Sequence, residues 1–487
     1  PHLEALVRAV KGAALTLLHA TPGSGKTTLA PLALLESFDG KILVLEPRRL
    51  AAKLAALRLC QLTGTKLGEL IGVQHRFEKK HSEHTRVIFL TEGSFLQYLR
   101  HNPRLHGVSV LVLDEFHERH LTTDLSFALT LPQILQGPTR LLVMSATLDE
   151  ALLTRHVPGL AKLTVEAPVF PLTLTYPPDD VAWHKREWDK KVFWGINEAL
   201  KLTGDVLVFL PGLFEIRRVR ERLLELLDDS HQVLTLHSRE SVGEDELMRP
   251  GAERRIILAS GIAESSLTIP GVRVVVDLGL SREARFIAWS GETELLTLPC
   301  AKAQAIQRAG RAAREAPGTC IRLYAQRDFD AREAFASAEI KKVSLSRVLL
   351  DLFSWDVDLA SFAWPEAPSA EGLTLALNEL EGLGAIAGQR LTPLGRLMQS
   401  VPLPTSLACA WALAFQEADD EAFAEMCRLL ARLAAEGAEA QDLRRQLHQR
   451  RPRAGTVHDI STLLLRALPD RICRLRAQDV ITAQGKT

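Results

Sequence analysis

Five short apolar runs punctuate the first third of the chain: Ala14 to Leu18, Ile42 to Leu45, Val87 to Leu90, Val108 to Leu113 and Leu141 to Met144. Each has the length of a strand, and helix-like stretches separate them. A strand that is apolar at successive positions must be covered on both faces, the condition of a parallel sheet between two layers of helix. The pattern breaks around Pro168 and Pro171. A second set of runs begins at Val206 to Leu210 and continues through Val233 to Leu236, Ile256 to Ala259, Val272 to Val276 and Cys320 to Leu323. The chain therefore reads as two α/β parallel-sheet domains in tandem, residues 1–168 and 169–328.

Beyond Asp328 strand patterns become rare. Leu373, Ala376, Leu377 and Leu380 share one helical face before a helix stop at Gly384, and Ala385 to Leu394 reads as a small hairpin about Gly388. Helix, helix, hairpin is the order of a winged-helix unit, placed at residues 329–400. From Leu403 the chain is rich in Ala and Leu and reads as a helical bundle, residues 401–487. It carries Arg444, Arg445, Arg450, Arg451, Arg453, Arg466, Arg471, Arg474 and Arg476, which suit either a solvated helical face or a polyanion contact.

Composition narrows the class further. A chain of 487 residues, 46% hydrophobic, is long enough for about three domains. Lys plus Arg and Asp plus Glu are both 59, so any polyanion site must be a local patch. The six cysteines are scattered with no Cys-x-x-Cys pair, which argues against a zinc site or a disulfide framework and fits a reducing cytoplasm. No apolar run reaches membrane-spanning length, and the amino terminus lacks the order of a signal peptide. The opening at Pro1 reads as a trimmed terminus.

Two segments carry chemistry together. In Thr21-Pro22-Gly23-Ser24-Gly25-Lys26-Thr27-Thr28, the glycines let successive backbone N–H groups turn toward phosphates, and the helix that follows adds its positive end. Lys26 supplies a fixed cation, Thr27 a hydroxyl for Mg²⁺, and Thr28 a local hydrogen bond. At the end of the fourth apolar run stands Asp114-Glu115-Phe116-His117. Asp114 is placed to hold the metal and Glu115 to deprotonate an attacking water, with His117 linking the site to Gln307 or to Ser145-Ala146-Thr147. In Gln307-Arg308-Ala309-Gly310-Arg311-Ala312-Ala313-Arg314, Arg311 and Arg314 are three apart and are expected on one helical face, as a clamp for a γ-phosphate. NTP hydrolysis is the reaction these groups imply.

The chain resembles the DEAH/RNA-helicase-A type of superfamily 2 helicases, and within it the bacterial HrpB group, over nearly its whole length. The resemblance rests on Gly23-Ser24-Gly25-Lys26-Thr27-Thr28, Pro47-Arg48-Arg49-Leu50, Thr91-Glu92-Gly93, Asp114-Glu115-Phe116-His117, Ser145-Ala146-Thr147, Phe209-Leu210-Pro211-Gly212, Ile262 through Ile269 and Gln307 through Arg314, all in family order. It implies two RecA-like domains, then a winged helix and a ratchet-like helical bundle, with ATP or other NTPs and Mg²⁺ as cofactors. It further implies a 3′-to-5′ helicase or translocase acting on single-stranded RNA or on an RNA duplex with a 3′ overhang, with DNA also open. An ATP-gated RNA-binding clamp or remodelling adaptor is the alternative. By the same resemblance Arg58 stacks on the adenine, Arg48, Arg49, Thr91, Gly212 and Ser260 contact the nucleic-acid backbone, and Ser145 and Thr147 couple the domains.

Four departures qualify that picture. Phe116 replaces the alanine of the DEAH tetrad, as in the HrpB group, and leaves both carboxylates in place. Ser260-Gly261 stands where Thr-Asn is usual, which removes an amide for the RNA backbone, and Met248 stands where an aromatic covers the base, which predicts loose NTP selectivity. Ala313 replaces a glycine between two intact arginines. Phe286 to Trp289 and Thr293 to Leu298 read as a hairpin around Ser290-Gly291-Glu292, with Trp289 either stacking on a base or packing the hairpin. HrpB-like chains continue into an OB-fold and a further domain, and because this chain stops at Thr487 that part is expected to be missing, cleaved or disordered here.

Overall fold

The computed structural model describes the chain apart from residues 1, 22–23, 76–77, 147–149, 167–169, 178–186, 229, 238–245, 248–252, 265–268, 288–291, 436, 449–454, 469–472, 477–478 and 483–487. Pro22, Gly23, Thr147, Pro168, Met248, Ser265 through Thr268, Trp289, Ser290, Gly291, Arg450, Arg451, Arg453 and Arg471, named above, lie outside the described residues. The chain divides into two compact units: Pro1–Arg285 with Thr293–Lys342 and Ala363–Glu366, and Phe286–Glu292 with Val343–Phe362 and Ala367–Thr487.

The first unit holds two large sheets. Its first sheet uses β1 (Leu15–Ala20), β2 (Lys41–Glu46), β3 (Ile71–His75), β4 (Glu78–Lys80), β5 (Val87–Thr91), β6 (Val108–Leu113), β7 (Arg140–Ser145) and β8 (Ala161–Val165). Their order is β4-β3-β5-β2-β6-β7-β1-β8. Every neighbouring pair is parallel except β3 with β4. The expected double burial is visible residue by residue. Ile42, Val44, Val110 and Val112 enter one core with Phe89, Ala52, Ala56 and Leu59. Leu43, Leu45, Leu111 and Leu113 enter the other with Phe95, Phe116, Phe127 and Leu131. Each such side chain contributes about 1.5–3 kcal/mol relative to exposure, and a strand buried on both faces collects that gain at every position.

The second sheet uses β9 (Leu172–Thr175), β10 (Asp205–Phe209), β11 (His231–Leu236), β12 (Arg254–Ala259), β13 (Val272–Asp277) and, beyond a separate pair, β16 (Gly318–Arg322). Its order is β11-β12-β10-β13-β16-β9, parallel throughout. The separate pair is β14 (Leu280–Ile287) with β15 (Glu292–Pro299), which starts earlier than the hairpin read from the sequence. The apolar pattern does not announce β3, β4, β8 and β9. Of these, β4, β8 and β9 are edge strands with no fully buried residue, so they lack the apolar run that betrays a central strand.

In the second unit, helices Ser346–Ser354 and Ala370–Gly382 precede β17 (Ile386–Ala387) and β18 (Arg390–Leu391). Gly384 and Gly388 have φ of 67° and 61°, the left-handed conformations needed beyond the helix end and in the tight turn. Helices Thr405–Glu417, Asp420–Ala434, Gly437–His448 and Ile460–Ala467 follow, with the buried Trp411 ring 4.7 Å from that of Phe415. The expectation of helix to the end of the chain is corrected at β19 (Cys473–Arg476) and β20 (Asp479–Thr482), which form an antiparallel pair. Cys473-Arg474-Leu475-Arg476 alternates apolar with charged residues, a period of two that the arginine content obscures. No helix among the described residues is long and apolar enough to cross a membrane.

Candidate active site

The loop after β1 turns into the helix Lys26–Leu35 at Gly25, whose φ of 75° is one that only glycine adopts without strain. The Thr28 hydroxyl donates back to the Gly25 carbonyl at 3.2 Å, the local bond expected of it. Ser24, Gly25, Lys26 and Thr27 thus surround a helix N-terminus, where unsatisfied N–H groups favour an anion.

Two strands away β6 ends. The Asp114 N–H donates to the Leu45 carbonyl at 3.1 Å, a last ladder bond, and Glu115 then takes φ 49°. Arg119 repeats this at φ 52°. Positive φ in a non-glycine residue costs of order 1–3 kcal/mol and persists only where packing enforces it. Here the buried Phe116, its ring 5.7 Å from that of Phe127, pins the turn between them.

The two segments meet. Thr27 Oγ1 donates to Asp114 Oδ2 at 2.5 Å, and Lys26 Nζ lies 3.2 Å from Glu115 Oε2. Burial opposes the charge on Glu115, but Lys26 and His117 outweigh it and hold the carboxyl below its usual range. Burial likewise opposes the charge on Lys26, which Glu115 and Asp114 restore, so its pKa lies above the ordinary lysine value. Asp114 is pushed up by burial and by Glu115. The pair therefore separates into an ionised Glu115 and a more readily protonated Asp114.

His117 joins this site to the segment after β15. The Gln307 side-chain amide meets His117 Nε2 at 2.5 Å, and His117 Nδ1 lies 3.5 Å from Glu115 Oε2. Of the two partners read from the sequence, Gln307 is in contact, and Thr147 lies outside the described residues. Ser145 ends β7, and the next carbonyl, of Ala146, bonds the His19 ring at 2.8 Å.

The arginine segment requires a correction. The helix Lys302–Gly310 ends before Arg311, so Arg311 and Arg314 stand in the turn that follows and not on a helical face. The last turn of that helix is anchored from inside by Arg308. Its Nε and Nη2 donate to Glu264 and its Nη1 to Asp277 at 2.9 Å, all three residues buried. The Glu264 carbonyl in turn accepts from Arg311 Nε at 3.1 Å. Burial and Arg314 disfavour the charge on Arg311, and burial brings Arg314 down to about 10, so both guanidiniums gain from an added anion.

The other positions are spread more widely. Arg48 is held by Glu118 at 2.9 Å, and Glu118 also bonds His120 at 2.9 Å. Arg49 and Arg58 are exposed on the helix Arg49–Thr63, with Arg58 donating to Gln61 at 3.1 Å. Thr91 precedes the helix Glu92–His101 and its hydroxyl meets that of Ser94 at 3.0 Å. A Cβ on Gly212 would lie 2.8 Å from the Arg282 guanidinium, the mobile end of a long side chain. Ser260 closes β12, its N–H donating to the Leu236 carbonyl at 3.2 Å.

Sequence reasoning missed Glu46, Glu118, His120, Glu264 and the anchoring role of Arg308. Glu46 had a legible signal, because it closes a buried strand as Asp114 does. Thr27, Asp114 and the buried carboxyl of Glu46, whose oxygens accept no hydrogen bond, form an all-oxygen set suited to Mg²⁺. Beside a nucleotide, Mg²⁺ takes most of its ligands from phosphates and water, so few protein oxygens are needed.

Residues 3–154 match the DEAD/DEAH box helicase family and residues 193–316 the helicase conserved C-terminal domain. The chain belongs to the DEAD/DEAH-box helicases. It is 35% identical over 502 residues to the ATP-dependent RNA helicase HrpB of Escherichia coli (strain K12), covering 98% of this chain and 62% of that one. The chain is also 31% identical to HrpA of the same organism, covering 83% of this chain and 32% of that one. A crystal structure of Escherichia coli DEAH/RHA helicase HrpB superimposes with a TM-score of 0.89 at 34% identity, covering 99% of this chain and 65% of that chain. The chain thus spans less than two thirds of the length of these relatives.

Proposed function

We propose that this chain is an ATP-dependent helicase motor that moves 3′ to 5′ along RNA in the cytoplasm. The observation that carries the reading is the bond to His117, beside the hydrolytic carboxylate, from Gln307, in the segment that also bears Arg311 and Arg314. The proposed domains are residues 1–168 and 169–328 for the motor, 329–400 for a winged helix and 401–487 for a helical bundle that gives way to the β19–β20 pair at its end.

A triphosphate at the N-terminus of the helix Lys26–Leu35 would attract Lys26 and release Glu115 from it. Glu115, ionised and backed by His117, is then the group that takes a proton from water. Thr27 and Asp114 would hold Mg²⁺, which neutralises charge on the phosphate oxygens. Arg311 and Arg314 stabilise the negative charge that develops on the transferred group, and Ser24, Gly25 and Thr28 shape the phosphate cradle. Arg58 is proposed at the base, Arg49, Thr91, Gly212 and Ser260 at the RNA backbone. Arg48 reaches RNA only by leaving Glu118, so its contact is proposed as conditional on the nucleotide state. A nucleotide moves the motor only if open and closed states bind it differently.

The test is the ATPase rate with and without single-stranded RNA or DNA over a range of salt. Stimulation that weakens steeply with salt is expected, because phosphate contacts release counterions. Displacement of a strand from a duplex with a 3′ overhang, and not from one with a 5′ overhang, is the expected polarity. Salt-independent turnover without stimulation would refute the reading.

A further inference from the structure

We propose that Glu46 is a second carboxyl of the divalent-cation site, acting on the ion's water shell beside Asp114. The inference rests on the nucleotide-site reading above and extends it to a residue outside the motifs that carry the family likeness.

Strands β2 and β6 are parallel neighbours in register Leu45↔Leu113, and the Asp114 N–H donates to the Leu45 carbonyl. Glu46 and Asp114 therefore leave adjacent strands at the same level, on the edge where the phosphate loop lies. On its other side Glu46 is in register with Thr91. It has no solvent exposure, and neither carboxyl oxygen accepts a hydrogen bond. Its side-chain neighbour is the Asp114 carboxyl, with Glu115 and Lys26 the further charges that face it.

Asp114 accepts from the Thr27 hydroxyl and the Glu115 N–H, whereas Glu46, beside it, receives a donor only if the two carboxyls share a proton or an ion brings one. Lys26, the cation facing this group, is already held by Glu115 at 3.2 Å. Three buried carboxyls thus face one ammonium, an arrangement that calls for either a shared proton or further positive charge. A divalent cation with its coordinated waters supplies both the missing charge and the missing donors. Mg²⁺ keeps several waters when bound, so a carboxyl behind the direct ligand has donors to receive.

The test is Mn²⁺ binding to the full chain loaded with ADP, read from the free-ion electron paramagnetic resonance signal and so independent of turnover. Glu46→Gln is close in shape but lacks the charge, and it should weaken Mn²⁺ binding by about 10-fold or more, as other outer ligands do. Metal-free ADP affinity and far-UV circular dichroism should stay at the wild-type level. Wild-type Mn²⁺ affinity in the Gln variant would overturn the assignment of Glu46 and leave the nucleotide site standing. If Gln prevents folding, Glu46→Asp decides: a shortened carboxyl should bind Mn²⁺ several-fold more weakly, and equal affinity overturns the proposal. A wild-type chain that binds no ADP would overturn both readings together.

Discussion

The Lys26 ammonium lies 3.2 Å from the Glu115 carboxylate, so the cation proposed for phosphate and the base proposed for water neutralise one another. On that proposal, a phosphate that draws the lysine away frees the carboxylate, and nucleotide binding precedes water activation.

Arg311 is buried and supported by the Glu264 carbonyl, with burial and Arg314 acting against its charge. Arg311→Ala should lower kcat by about 10³-fold or more, in the range of arginine fingers, with a far smaller change in KM. Steady-state ATPase assays check this. A kcat within a few-fold of wild type would remove Arg311 from the site.

The contact between His117 and Gln307 joins the two α/β parts of the chain at 2.5 Å. Gln307→Ala removes the donor and should reduce RNA stimulation more than the unstimulated rate, because it leaves Lys26, Thr27 and both carboxylates untouched. The ratio of stimulated to basal turnover is the measurement. An unchanged ratio would show that the bond is structural.

Arg308 neutralises Glu264 and Asp277 beside the second sheet. Arg308→Met keeps the bulk and strands two buried carboxylates, so about 3–5 kcal/mol of stability should be lost. Urea denaturation checks the value. A loss below about 1 kcal/mol would mean that the carboxyls find other donors.

His120 predicts a pH dependence. Burial opposes its charge, but its bonds to Glu118 and Glu339 prevail and raise its pKa to about 10. A pKa raised on folding adds stability that is full below the unfolded value near about 6.5 and is lost as pH rises through about 10. Because 39% of the side chain meets solvent, screening limits the effect to about 1 kcal/mol. The difference in Tm between wild type and His120→Asn should be clear at about pH 6 and vanish near pH 10.

The parallel sheets and the phosphate loop were legible because their signals are local: an apolar run, a glycine pair, a charged residue at a strand's end. Glu264 and Arg308 were not, since their pairing joins positions 44 residues apart through tertiary packing. Arg311 and Arg314 read as helical from a spacing of three, a spacing that a succession of tight turns also satisfies. Edge strands β8 and β9 escape because exposure on one side frees them from the apolar pattern. Arg48 illustrates the reverse limit, since the motif that marks it for RNA says nothing of Glu118, which holds it.

The left-handed backbone at Glu115 and Arg119 sets an order of failure. Each position stores strain that the surrounding packing must hold, whereas the strands on either side are relaxed and doubly buried. On heating, this turn is the part of the domain with most to gain from letting go, and it carries the carboxylate proposed for hydrolysis. Catalysis should therefore fade several degrees below the cooperative loss of circular dichroism, the sheet outlasting the turn it was built to aim.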